Sequence, residues 1–470
     1  MKVLLIRPPK LNMISTNVPN VVDEETGCYP SLGLMYIAAC VERYTDHQIE
    51  ILDTQAEKMN YEEMKSEIRK RNPDIVGIQA MTFTLVDVIL TAKIVKELDK
   101  SIPLILGGPH VNIYPEETIS NSEIDFLVLG EGEYVFPDLI NALSQRKDLS
   151  KIRGIVYKRN KEIINTGKRE FITNLDAVPF PAYHLVPYQK YYSVLEKRTP
   201  ITTMMTSRGC PFKCIFCTRP QLGKIFRYRS AENVVDEMEQ CARIGIKEIF
   251  LYDDTFTINK QRVIDICNEI LRRNLKIMWD IRSRVDTVDE KILKKLKLAG
   301  CERIHFGVEA GTQGILNILR KGITLQQAEK AFQWSREVGI TTLAYFMIGN
   351  PTESRKQILE TIKFSVKIKP DYVHIALTTL FPATELYRRG LERKILKHDY
   401  WKEFAENPRK DFVPELWEEN LTREELVKLS KFAYKSFYMR PMYVLERLFE
   451  VKSWQEFKRK GRVGFRLLGM

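Results

Sequence analysis

The chain has 470 residues, of which 44% are hydrophobic and 29% are charged, and its formal net charge is +12 at pH 7. This composition is typical of a globular protein with a sizeable core, and the length predicts two or three domains. No apolar run approaches the ~18 residues of a membrane-spanning helix, and the apolar start is too short for a signal peptide. We therefore expect a protein of the reducing cytoplasm.

Residues 1–145 alternate strand and helix patterns at the period of βαβ units. Helical patterns, for example at residues 34–44 and 86–98, separate the strands. Such crossovers predict a doubly wound parallel sheet, a Rossmann-like α/β domain, with its ligand over the carboxyl ends of the strands. The predicted strands are residues 3–6, 48–52, 74–80, 103–106 and 125–129.

The loops after these strands carry glycine pairs and hydroxyl groups. Glycines let a backbone approach a ligand closely, and bare N–H groups at helix starts accept anions, so the loops suit a large flat or phosphate-bearing ligand. Paired glycines also make ordinary turns, which is the alternative. A dinucleotide is not supported, because no G-x-G-x-x-G follows the first strand. The candidate ligand contacts are Thr82, Thr84, Gly107, Gly108, Gly130 and Glu131.

Residues 146–195 form a predicted connector, with a hairpin that turns at residues 158–161 and a proline-stiffened link at residues 176–182. The βα rhythm resumes six times in residues 196–395, with helical patterns such as 232–243, 262–273 and 326–338. Six units predict a partial (β/α)6 barrel whose chemistry lies at the carboxyl ends of its strands. Its predicted strands are residues 202–206, 248–252, 277–281, 303–308, 343–348 and 372–377.

Residues 396–470 form a predicted helical region with a basic tail. Thr422 and Glu425 make a capping box that starts a helix. From Leu421 to Met470 there are 12 Lys and Arg against 5 Asp and Glu, a net charge of +7. Such a tail can contact an acidic membrane surface, although charge runs are more often merely solvated. Its aromatic and basic residues are Trp454, Phe457, Lys458, Arg459, Lys460, Phe465 and Arg466.

Three cysteines stand just after the first barrel strand. Cys210, Cys214 and Cys217 have the spacing C-x3-C-x2-C. Three thiolates can hold an iron–sulfur cluster, but a cubane of four irons has four positions to fill, so one iron stays open. An open position is what separates a catalytic metal site from a structural one. The motif therefore predicts a [4Fe–4S] cluster whose open iron takes the amino and carboxylate groups of S-adenosylmethionine.

A structural zinc site is the alternative for these cysteines. Such a site needs a second Cys or His pair, and none follows in the sequence. Cys241, Cys267 and Cys301 are isolated in helical apolar patterns or at their ends, where we expect buried, inert thiols. Disulfides are not expected in a chain with no paired framework and no export signal.

Further motifs accompany the cysteines in a fixed order along nearly the whole chain. They are Pro30-Ser-Leu-Gly-Leu34, Gly107-Gly-Pro-His110, Gly130-Glu-Gly-Glu133, Tyr252-Asp-Asp-Thr-Phe256, Phe306-Gly-Val-Glu-Ala-Gly311, Phe346-Met-Ile-Gly-Asn-Pro-Thr-Glu353, Pro382-Ala-Thr-Glu-Leu-Tyr387 and Phe437-Tyr-Met-Arg-Pro441. With them the chain resembles the radical S-adenosylmethionine superfamily. More narrowly, it resembles the subgroup with an N-terminal cobalamin-binding domain. That subgroup includes class B methyltransferases, the anaerobic magnesium-protoporphyrin ester cyclase, and enzymes of hopanoid and archaeal lipid modification.

The resemblance implies a role for several barrel residues. Phe216 would lie against the adenine of S-adenosylmethionine, with plain core packing as the alternative. Glu309 would contact the bound S-adenosylmethionine, with an ion pair to a barrel arginine such as Arg284 as the alternative. Asp253 would order the active face or cap the next helix, and Gly349 would admit the adenosyl group.

The resemblance also implies cobalamin over the first sheet, with one departure. Many cobalamin domains present a histidine to cobalt within D-x-H-x-x-G, and here Gln55 stands where that histidine would be. An amide is a poor cobalt ligand, so we expect this loop to leave the lower face unligated. His110 is the nearest alternative, but a histidine after a glycine pair is more often a hydrogen-bonding turn residue.

The resemblance implies carbon-centred radical chemistry, driven by a 5′-deoxyadenosyl radical and an external reductant such as ferredoxin or flavodoxin. C-methylation of an unactivated carbon on a lipid or other small molecule is the leading reaction. Radical oxidation, cyclisation or head-group attachment on a lipid or tetrapyrrole is the alternative. A non-catalytic cobalamin- and S-adenosylmethionine-binding sensor or carrier is the alternative of another class. A nucleic-acid substrate is not expected, because no RNA-binding module is recognisable. The sequence identifies neither a catalytic residue nor the substrate.

Overall fold

The computed structural model describes residues 1–15, 27–160, 162–218 and 222–449. It contains a seven-stranded mixed sheet and a six-stranded parallel sheet. Helices cover these sheets, and nearly all the buried apolar side chains of both halves form one continuous core. Among the described helices, none is long and apolar enough to cross a membrane.

The first half of the chain alternates strands and helices as predicted. Its elements are β1 (Lys2–Arg7), β2 (Gly27–Cys28), α1 (Leu32–Tyr44), β3 (Gln48–Asp53), α2 (Tyr61–Arg71), β4 (Ile75–Gln79), α3 (Leu85–Leu98), β5 (Leu104–Gly107), α4 (Pro109–Ile113), α5 (Pro115–Ser120), β6 (Phe126–Val128), α6 (Gly132–Ser144), β7 (Ile155–Arg159), β8 (Glu162–Asn165) and β9 (Tyr192–Ser193).

The second half holds the barrel strands and the C-terminal helices. Its elements are β10 (Ile201–Met204), β11 (Ser207–Arg208), β12 (Arg227–Tyr228), α7 (Ala231–Arg243), β13 (Glu248–Leu251), α8 (Lys260–Arg272), β14 (Met278–Ser283), α9 (Glu290–Leu298), β15 (Cys301–Glu309), α10 (Gln313–Ile318), α11 (Leu325–Glu337), β16 (Thr341–Ile348), α12 (Arg355–Lys367), β17 (Tyr372–Leu377), α13 (Glu385–Glu392), α14 (Tyr400–Glu406), α15 (Arg423–Tyr438) and α16 (Pro441–Phe449).

The first sheet has the strand order β3-β1-β4-β5-β6-β7-β8. Its first five strands are parallel, so the predicted doubly wound α/β domain is confirmed. The order reverses beside β1, which places the switch point at the carboxyl ends of β1 and β4.

The hairpin of the predicted connector belongs to this same sheet. Its first strand, β7, pairs antiparallel with β6, and β8 pairs with β7. The predicted turn at residues 158–161 is too long, because the paired strands run on through Arg159. The turn lies at Asn160, whose φ is +50°, a left-handed conformation that asparagine tolerates.

The second sheet has the strand order β10-β13-β14-β15-β16-β17, with every pair parallel. A helical segment follows each of the first five strands, and the predicted partial (β/α)6 barrel is therefore confirmed. Six strands leave open edges on β10 and β17, and unpaired backbone groups on an edge strand invite pairing with another chain.

Helix α15 covers the edge at β17. The Tyr434 hydroxyl accepts the backbone N–H of Ile375 at 3.1 Å. The Tyr438 hydroxyl accepts the N–H of Val373 at 2.9 Å and donates to its carbonyl at 2.8 Å. The predicted capping box of Thr422 and Glu425 starts this helix. Its predicted apolar face is buried: Leu426, Leu429, Ala433 and Phe437.

Candidate active site at the domain interface

The cysteine loop follows β11 and lies at the carboxyl end of the barrel. Gly209 begins it with φ of +80°, and a Cβ there would lie 2.2 Å from the Ile225 carbonyl oxygen. Ile215 fixes the middle of the loop, because its N–H donates to Leu319 at 3.1 Å and its carbonyl accepts from Leu386 at 2.8 Å. The loop is therefore fastened to the segment that follows α10 and to the first turn of α13.

The three predicted cluster ligands are half-buried in this loop, whereas Cys241, Cys267 and Cys301 are buried, as predicted. All eight cysteines lie among the described residues and none forms a disulfide. Within the described residues, no three His, Cys, Asp or Glu side chains converge as one metal ion would require. Cysteine thiolates are the ligands that hold iron–sulfur clusters, and three of them lie in this one loop.

Arg284 sits directly beside the cysteine loop. Its Nη1 lies 3.9 Å from Cys214 Sγ, and its guanidinium stacks on the Phe212 ring at 3.7 Å. Asp286 fixes the guanidinium through two hydrogen bonds of 2.9 Å. Burial raises the pKa of the Cys214 thiol, and the positive charges of Lys321 and Arg284 oppose that rise. These cations favour the thiolate, which is the form that binds iron.

Glu309 ends β15 with φ of +73°, and its carboxylate accepts from Lys321 Nζ at 2.7 Å. A Cβ at Gly307 would lie 2.5 Å from the Glu309 carboxylate and 2.8 Å from Lys321 Nζ, so a side chain at residue 307 would displace this pair. The alternative pairing with Arg284 is wrong, because Arg284 is turned to Asp286. The ion pair stands on the inner face of the barrel mouth, beside the cysteine loop.

Asp253 is completely buried at the end of β13. Its carboxylate accepts from the Thr206 N–H and the Thr206 hydroxyl, both at 2.6 Å, and from the Ser207 hydroxyl. It does not cap the next helix, since Asn259 caps α8. Asp253 therefore orders the turn that leads into the cysteine loop, and its predicted contact with a cofactor stays a prediction.

Phe216 and Gly349 both lie against apolar side chains. Phe216 is half-buried against the main core. Gly349 has φ of +79°, and a Cβ there would lie 2.9 Å from Leu426 Cδ2 of α15. Their predicted contacts with S-adenosylmethionine stay predictions.

A cavity of about 760 Å³ opens between the carboxyl edge of the first sheet and the barrel. Its volume lies toward the upper end for small-molecule sites. The barrel contributes Met205, Arg208 and Tyr252 to its wall. The predicted contacts that line it are Thr84, Gly107, Gly108, Gly130 and Glu131, together with Gln55.

The loop after β5 shows why glycine stands at the cavity wall. Gly108 has φ of +117°, and a Cβ there would lie 2.8 Å from the Ala80 carbonyl oxygen. Thr82 does not line the cavity, because its hydroxyl is turned to His110 Nδ1 at 3.2 Å. Burial lowers the pKa of His110 to about 3, so the ring is neutral at ordinary pH. His110 therefore has the expected role of a hydrogen-bonding turn residue.

A buried ion-pair network, the Glu131 network, joins the cavity to the cysteine loop. Glu131 accepts from Arg208 Nη1 and from Arg227 Nη1, each at 2.8 Å. Arg208 also pairs with Glu133 at 2.6 Å. Arg208 lies two residues before Cys210 and lines the cavity, so one side chain contacts both parts of the site.

Comparison with known proteins decides the family. Models of the radical SAM superfamily and of the B12-binding domain match residues 204–365 and 20–140. An uncharacterised methyltransferase of Pyrococcus horikoshii is 38% identical over 453 residues, which are 96% of this chain and 95% of that protein. The chain belongs to the cobalamin-dependent radical S-adenosylmethionine enzymes.

Other relatives place this cobalamin-dependent radical S-adenosylmethionine enzyme in a family of methyltransferases that also contains a cyclase. The anaerobic magnesium-protoporphyrin IX monomethyl ester cyclase of Rubrivivax gelatinosus is 29% identical, over 94% of this chain and 78% of that protein. The hopanoid C-3 methylase of Methylococcus capsulatus is 27% identical, over 86% and 76%. The predicted family and enzyme class are thereby confirmed.

Two solved structures share the fold. The radical S-adenosylmethionine methyltransferase TsrM of Kitasatospora setae aligns with a TM-score of 0.68 at 20% identity, over 83% of this chain and 76% of its own. The cobalamin-dependent enzyme OxsB aligns with a TM-score of 0.69 at 19% identity, over 99% and 72%.

The site of this radical S-adenosylmethionine enzyme fits all three expected cofactors. The half-buried cysteines beside two cations suit a cluster, and the Glu309–Lys321 pair offers both charges to the zwitterionic end of S-adenosylmethionine. The wide, mostly apolar cavity with glycine walls suits the corrin of cobalamin.

Several side chains of the site were missed from the sequence. Lys321 gave no signal, because a single lysine after a short helix forms no recognisable pattern. Arg208 and Arg227 gave none either, because buried ion pairs between domains have no local spacing. The inner face of the barrel did leave a signal, namely polar residues at alternate positions of strands that are otherwise apolar. They are Asp280, Arg282, Arg303, His305, Tyr345 and His374.

Proposed function

We propose that the enzyme attaches a methyl group to an unactivated carbon of a small organic substrate. The observation that supports it most is Arg208, which lines the cavity assigned to cobalamin and leads directly into the cysteine loop. The methyl donor and the radical generator then face one shared space. When bound, the reduced cluster supplies the electron that cleaves S-adenosylmethionine to a 5′-deoxyadenosyl radical, and cobalamin supplies the methyl group.

The protein positions and shields the reactants. Cys210, Cys214 and Cys217 would hold three irons of the cluster and leave the fourth to S-adenosylmethionine. Glu309 accepts hydrogen bonds from its ammonium or ribose hydroxyls, and Lys321 fixes that carboxylate at 2.7 Å. The first sheet lies over the barrel mouth, and with the cofactors bound it would keep out water, which would quench so reactive a radical.

The alternative is radical oxidation, cyclisation or head-group attachment on a lipid or tetrapyrrole. It draws support from the cyclase relatives, while the methylase relatives and the 38% identical methyltransferase favour methyl transfer. The two differ in product mass, since methylation adds one CH2 and cyclisation changes the ring count.

The test compares metabolite and lipid extracts of a deletion strain, its parent, and strains complemented with the wild-type or the Cys214→Ala chain. We expect compounds that differ by one CH2, absent from the deletion strain and from the Cys214→Ala strain. A loss of ring closure without any CH2 difference would favour the cyclase alternative. Identical extracts from all four strains would contradict both.

We also propose that an external one-electron donor, a ferredoxin or flavodoxin, reduces the cluster. If such a donor reduces the cluster, 5′-deoxyadenosine should form only when the reduced donor is present. Purified flavodoxin with its reductase replaces dithionite in this test. No 5′-deoxyadenosine with either flavodoxin or ferredoxin, against ready formation with dithionite, would exclude these donors.

Contact with an anionic membrane face is proposed for the C-terminal region. The support is the net charge of +7 from Leu421 to Met470 and the exposure of Phe432, Met442 and Leu445. The basic and aromatic residues 454–466 lie outside the described residues. Flotation with anionic vesicles at low and high salt tests it, with a Lys458→Gln, Arg459→Gln, Lys460→Gln variant for comparison. Absence of binding at low salt would remove the proposal.

A further inference from the structure

The interior of the barrel contains a polar layer below its mouth. Strand register places Arg282 of β14 opposite His305 of β15, and Tyr345 of β16 opposite both Gly307 and His374. Side chains at these alternate positions share one face. They are in contact, since His305 Nδ1 lies 3.0 Å from the Tyr345 hydroxyl and the Tyr345 and His374 rings lie 5.5 Å apart. This face is the inner one, because Phe306 on the opposite face packs against Phe332 of the outer helix α11.

The floor of this layer is a buried ion-pair network. Arg303 Nη2 lies 3.0 Å from Asp280 and 3.1 Å from Glu248. His305 Nε2 lies 3.3 Å from the same Asp280 oxygen. Burial works to raise the pKa of Asp280, but Arg303 and His305 hold it below its ordinary value. This carboxylate is therefore ionised. Its Oδ2 is shared by Arg303 and His305, whereas its Oδ1 has no hydrogen-bond partner among the described residues.

Arg282 differs from Arg303 in having no carboxylate partner. It donates to the Leu251 carbonyl oxygen at 3.1 Å and stacks on the Tyr252 ring at 3.8 Å. Within the described residues it forms no ion pair, and it is half-buried in the barrel. An arginine without a carboxylate partner can bind a carboxylate or phosphate of a ligand through its planar guanidinium. Its guanidinium has five N–H donors, more than these two contacts use.

Tyr345 and His374 complete the layer with groups of defined polarity. Asp280 favours the tautomer of His305 that carries its proton on Nε2, so Nδ1 accepts the Tyr345 phenol proton. The Tyr345 oxygen is then left as an acceptor. Burial lowers the pKa of His374 to about 4, so this ring is neutral at ordinary pH. Arg282 is thus the positive charge that faces the interior of this layer.

The layer lies between the two cofactor sites. Above the layer, the Glu309 carboxylate lies close to Gly307, since a Cβ at Gly307 would lie 2.5 Å from it. To one side, Tyr252 stacks on Arg282 and also lines the 760 Å³ cavity. A substrate held here would reach both the radical and the methyl donor.

We propose that Arg282 anchors an anionic group of the substrate, a carboxylate or a phosphate ester, inside the barrel. Tyr345 accepts a hydrogen bond from a hydroxyl or amine next to that group. The proposal rests on the proposed function, because it names the class of substrate that the methylation site receives. It excludes a purely hydrocarbon substrate.

The test measures binding of two probes, inorganic phosphate and acetate, by equilibrium dialysis. The full chain is reconstituted anaerobically with cluster, cobalamin and saturating S-adenosylmethionine, so the cofactor's own carboxylate site is filled. We expect Arg282→Gln to weaken binding of at least one probe by about tenfold or more. Which probe is affected distinguishes a phosphate substrate from a carboxylate substrate.

Two further variants keep the result interpretable. Arg282→Lys preserves the charge and should bind the probe more weakly than wild type but better than Arg282→Gln. Arg388→Gln removes an exposed arginine that pairs with Glu392 on the surface, and it should bind as wild type does. Equal circular dichroism and melting temperature of the two Arg282 variants separate loss of the site from loss of the fold.

Three outcomes would overturn the proposal: no probe binding by wild type, equal binding by wild type and Arg282→Gln, or a parallel loss of S-adenosylmethionine affinity in Arg282→Gln. The last would assign Arg282 to the cofactor's carboxylate. Failure of the proposed function is seen separately, since a wild-type chain that makes no 5′-deoxyadenosine would refute radical chemistry whatever its anion binding.

Discussion

Gln55 shows at the scale of one residue how this domain departs from the D-x-H-x-x-G pattern of many cobalamin domains. Its side-chain amide donates to the Pro8 carbonyl at 2.9 Å, and the residue lines the cavity. His110 is buried and engaged with Thr82, so it does not replace the missing ligand. The lower face of cobalamin should therefore receive no protein nitrogen.

Electron paramagnetic resonance of bound cob(II)alamin tests this directly. We expect the wild-type spectrum to lack nitrogen superhyperfine splitting from the protein. Gln55→His should introduce that splitting, because it restores the ligand at the position that lines the cavity. His110→Gln is the matched control and should leave the spectrum unchanged. Splitting in the wild type that His110→Gln removes would show that His110 reaches the metal.

Glu353 makes the stability of the fold depend on pH. It is 2% exposed, and its carboxylate accepts from the Asn350 N–H at 2.9 Å and from the Asn350 side chain at 3.0 Å. Burial raises the pKa of Glu353 to about 7, although the Asn350 hydrogen bonds act to lower it. The folded state thus binds this proton more tightly than the unfolded state does.

The sign of the effect follows from that difference. A carboxyl group whose pKa is raised on folding stabilises the fold at acidic pH, and the contribution is lost as pH rises toward about 7. The loss is on the order of 3 kcal/mol. Melting temperatures from about pH 5 to about pH 8 should therefore fall more steeply for wild type than for Glu353→Gln. Glu360→Gln, at an exposed position of α12, should follow wild type. Parallel curves for wild type and Glu353→Gln would contradict the assignment.

At the scale of elements, the contact between the end of β15 and α12 depends on the absence of a side chain. A Cβ at Gly311 would lie 2.5 Å from Thr361 Cα and 2.7 Å from Phe364 Cβ. The Gly311 N–H also donates to the Thr361 hydroxyl at 2.9 Å. Helix α12 can therefore pack on the barrel only if residue 311 is glycine.

Two alanine variants separate this effect from the general effect of replacing glycine. Gly311→Ala should lower the free energy of unfolding by about 1–3 kcal/mol, because α12 must move outward. Gly314→Ala lies inside α10 with no atom within 4 Å of the new Cβ, and should raise it by up to about 1 kcal/mol. Denaturant unfolding measures both. Equal changes in the two variants would mean that the packing at residue 311 adapts freely.

The elements themselves could be predicted because each has a local signal. The strand at residues 248–252 reads as an apolar run between helical patterns, and the structure has it at Glu248–Leu251. The cysteine loop could be placed because it follows the first barrel strand. Contacts between distant segments could not be predicted, because they depend on tertiary packing. For this reason the sequence did not predict that Glu309 pairs with Lys321 rather than with Arg284. No local pattern predicts that β7 joins the first sheet either.

At the scale of the whole molecule, the Glu131 network fixes the first domain to the barrel. Glu131 is the carboxylate that Arg208 and Arg227 share, and all three side chains are almost completely buried. Removing one partner of a buried ion pair leaves an uncompensated charge, which costs about 3–5 kcal/mol. The network therefore links the stability of the interface to the position of the cysteine loop.

Glu131→Gln should lower the melting temperature and weaken cobalamin binding, because Arg227 loses its carboxylate while the cavity wall shifts. Glu392→Gln removes an exposed ion pair on α13 and should change neither quantity measurably. Calorimetry and cobalamin titration provide the two readouts. A Glu131→Gln chain that melts and binds cobalamin like the Glu392→Gln chain would show that the network does not hold the interface.

The most direct test of the central claim is Mössbauer spectroscopy of the anaerobically purified, iron-57-enriched chain with and without S-adenosylmethionine. Three cysteine ligands and one open position predict a [4Fe–4S] cluster in which S-adenosylmethionine changes the signal of one iron and leaves the other three unchanged. A spectrum without a cubane, or a cubane whose four irons stay the same when S-adenosylmethionine is added, would contradict the account.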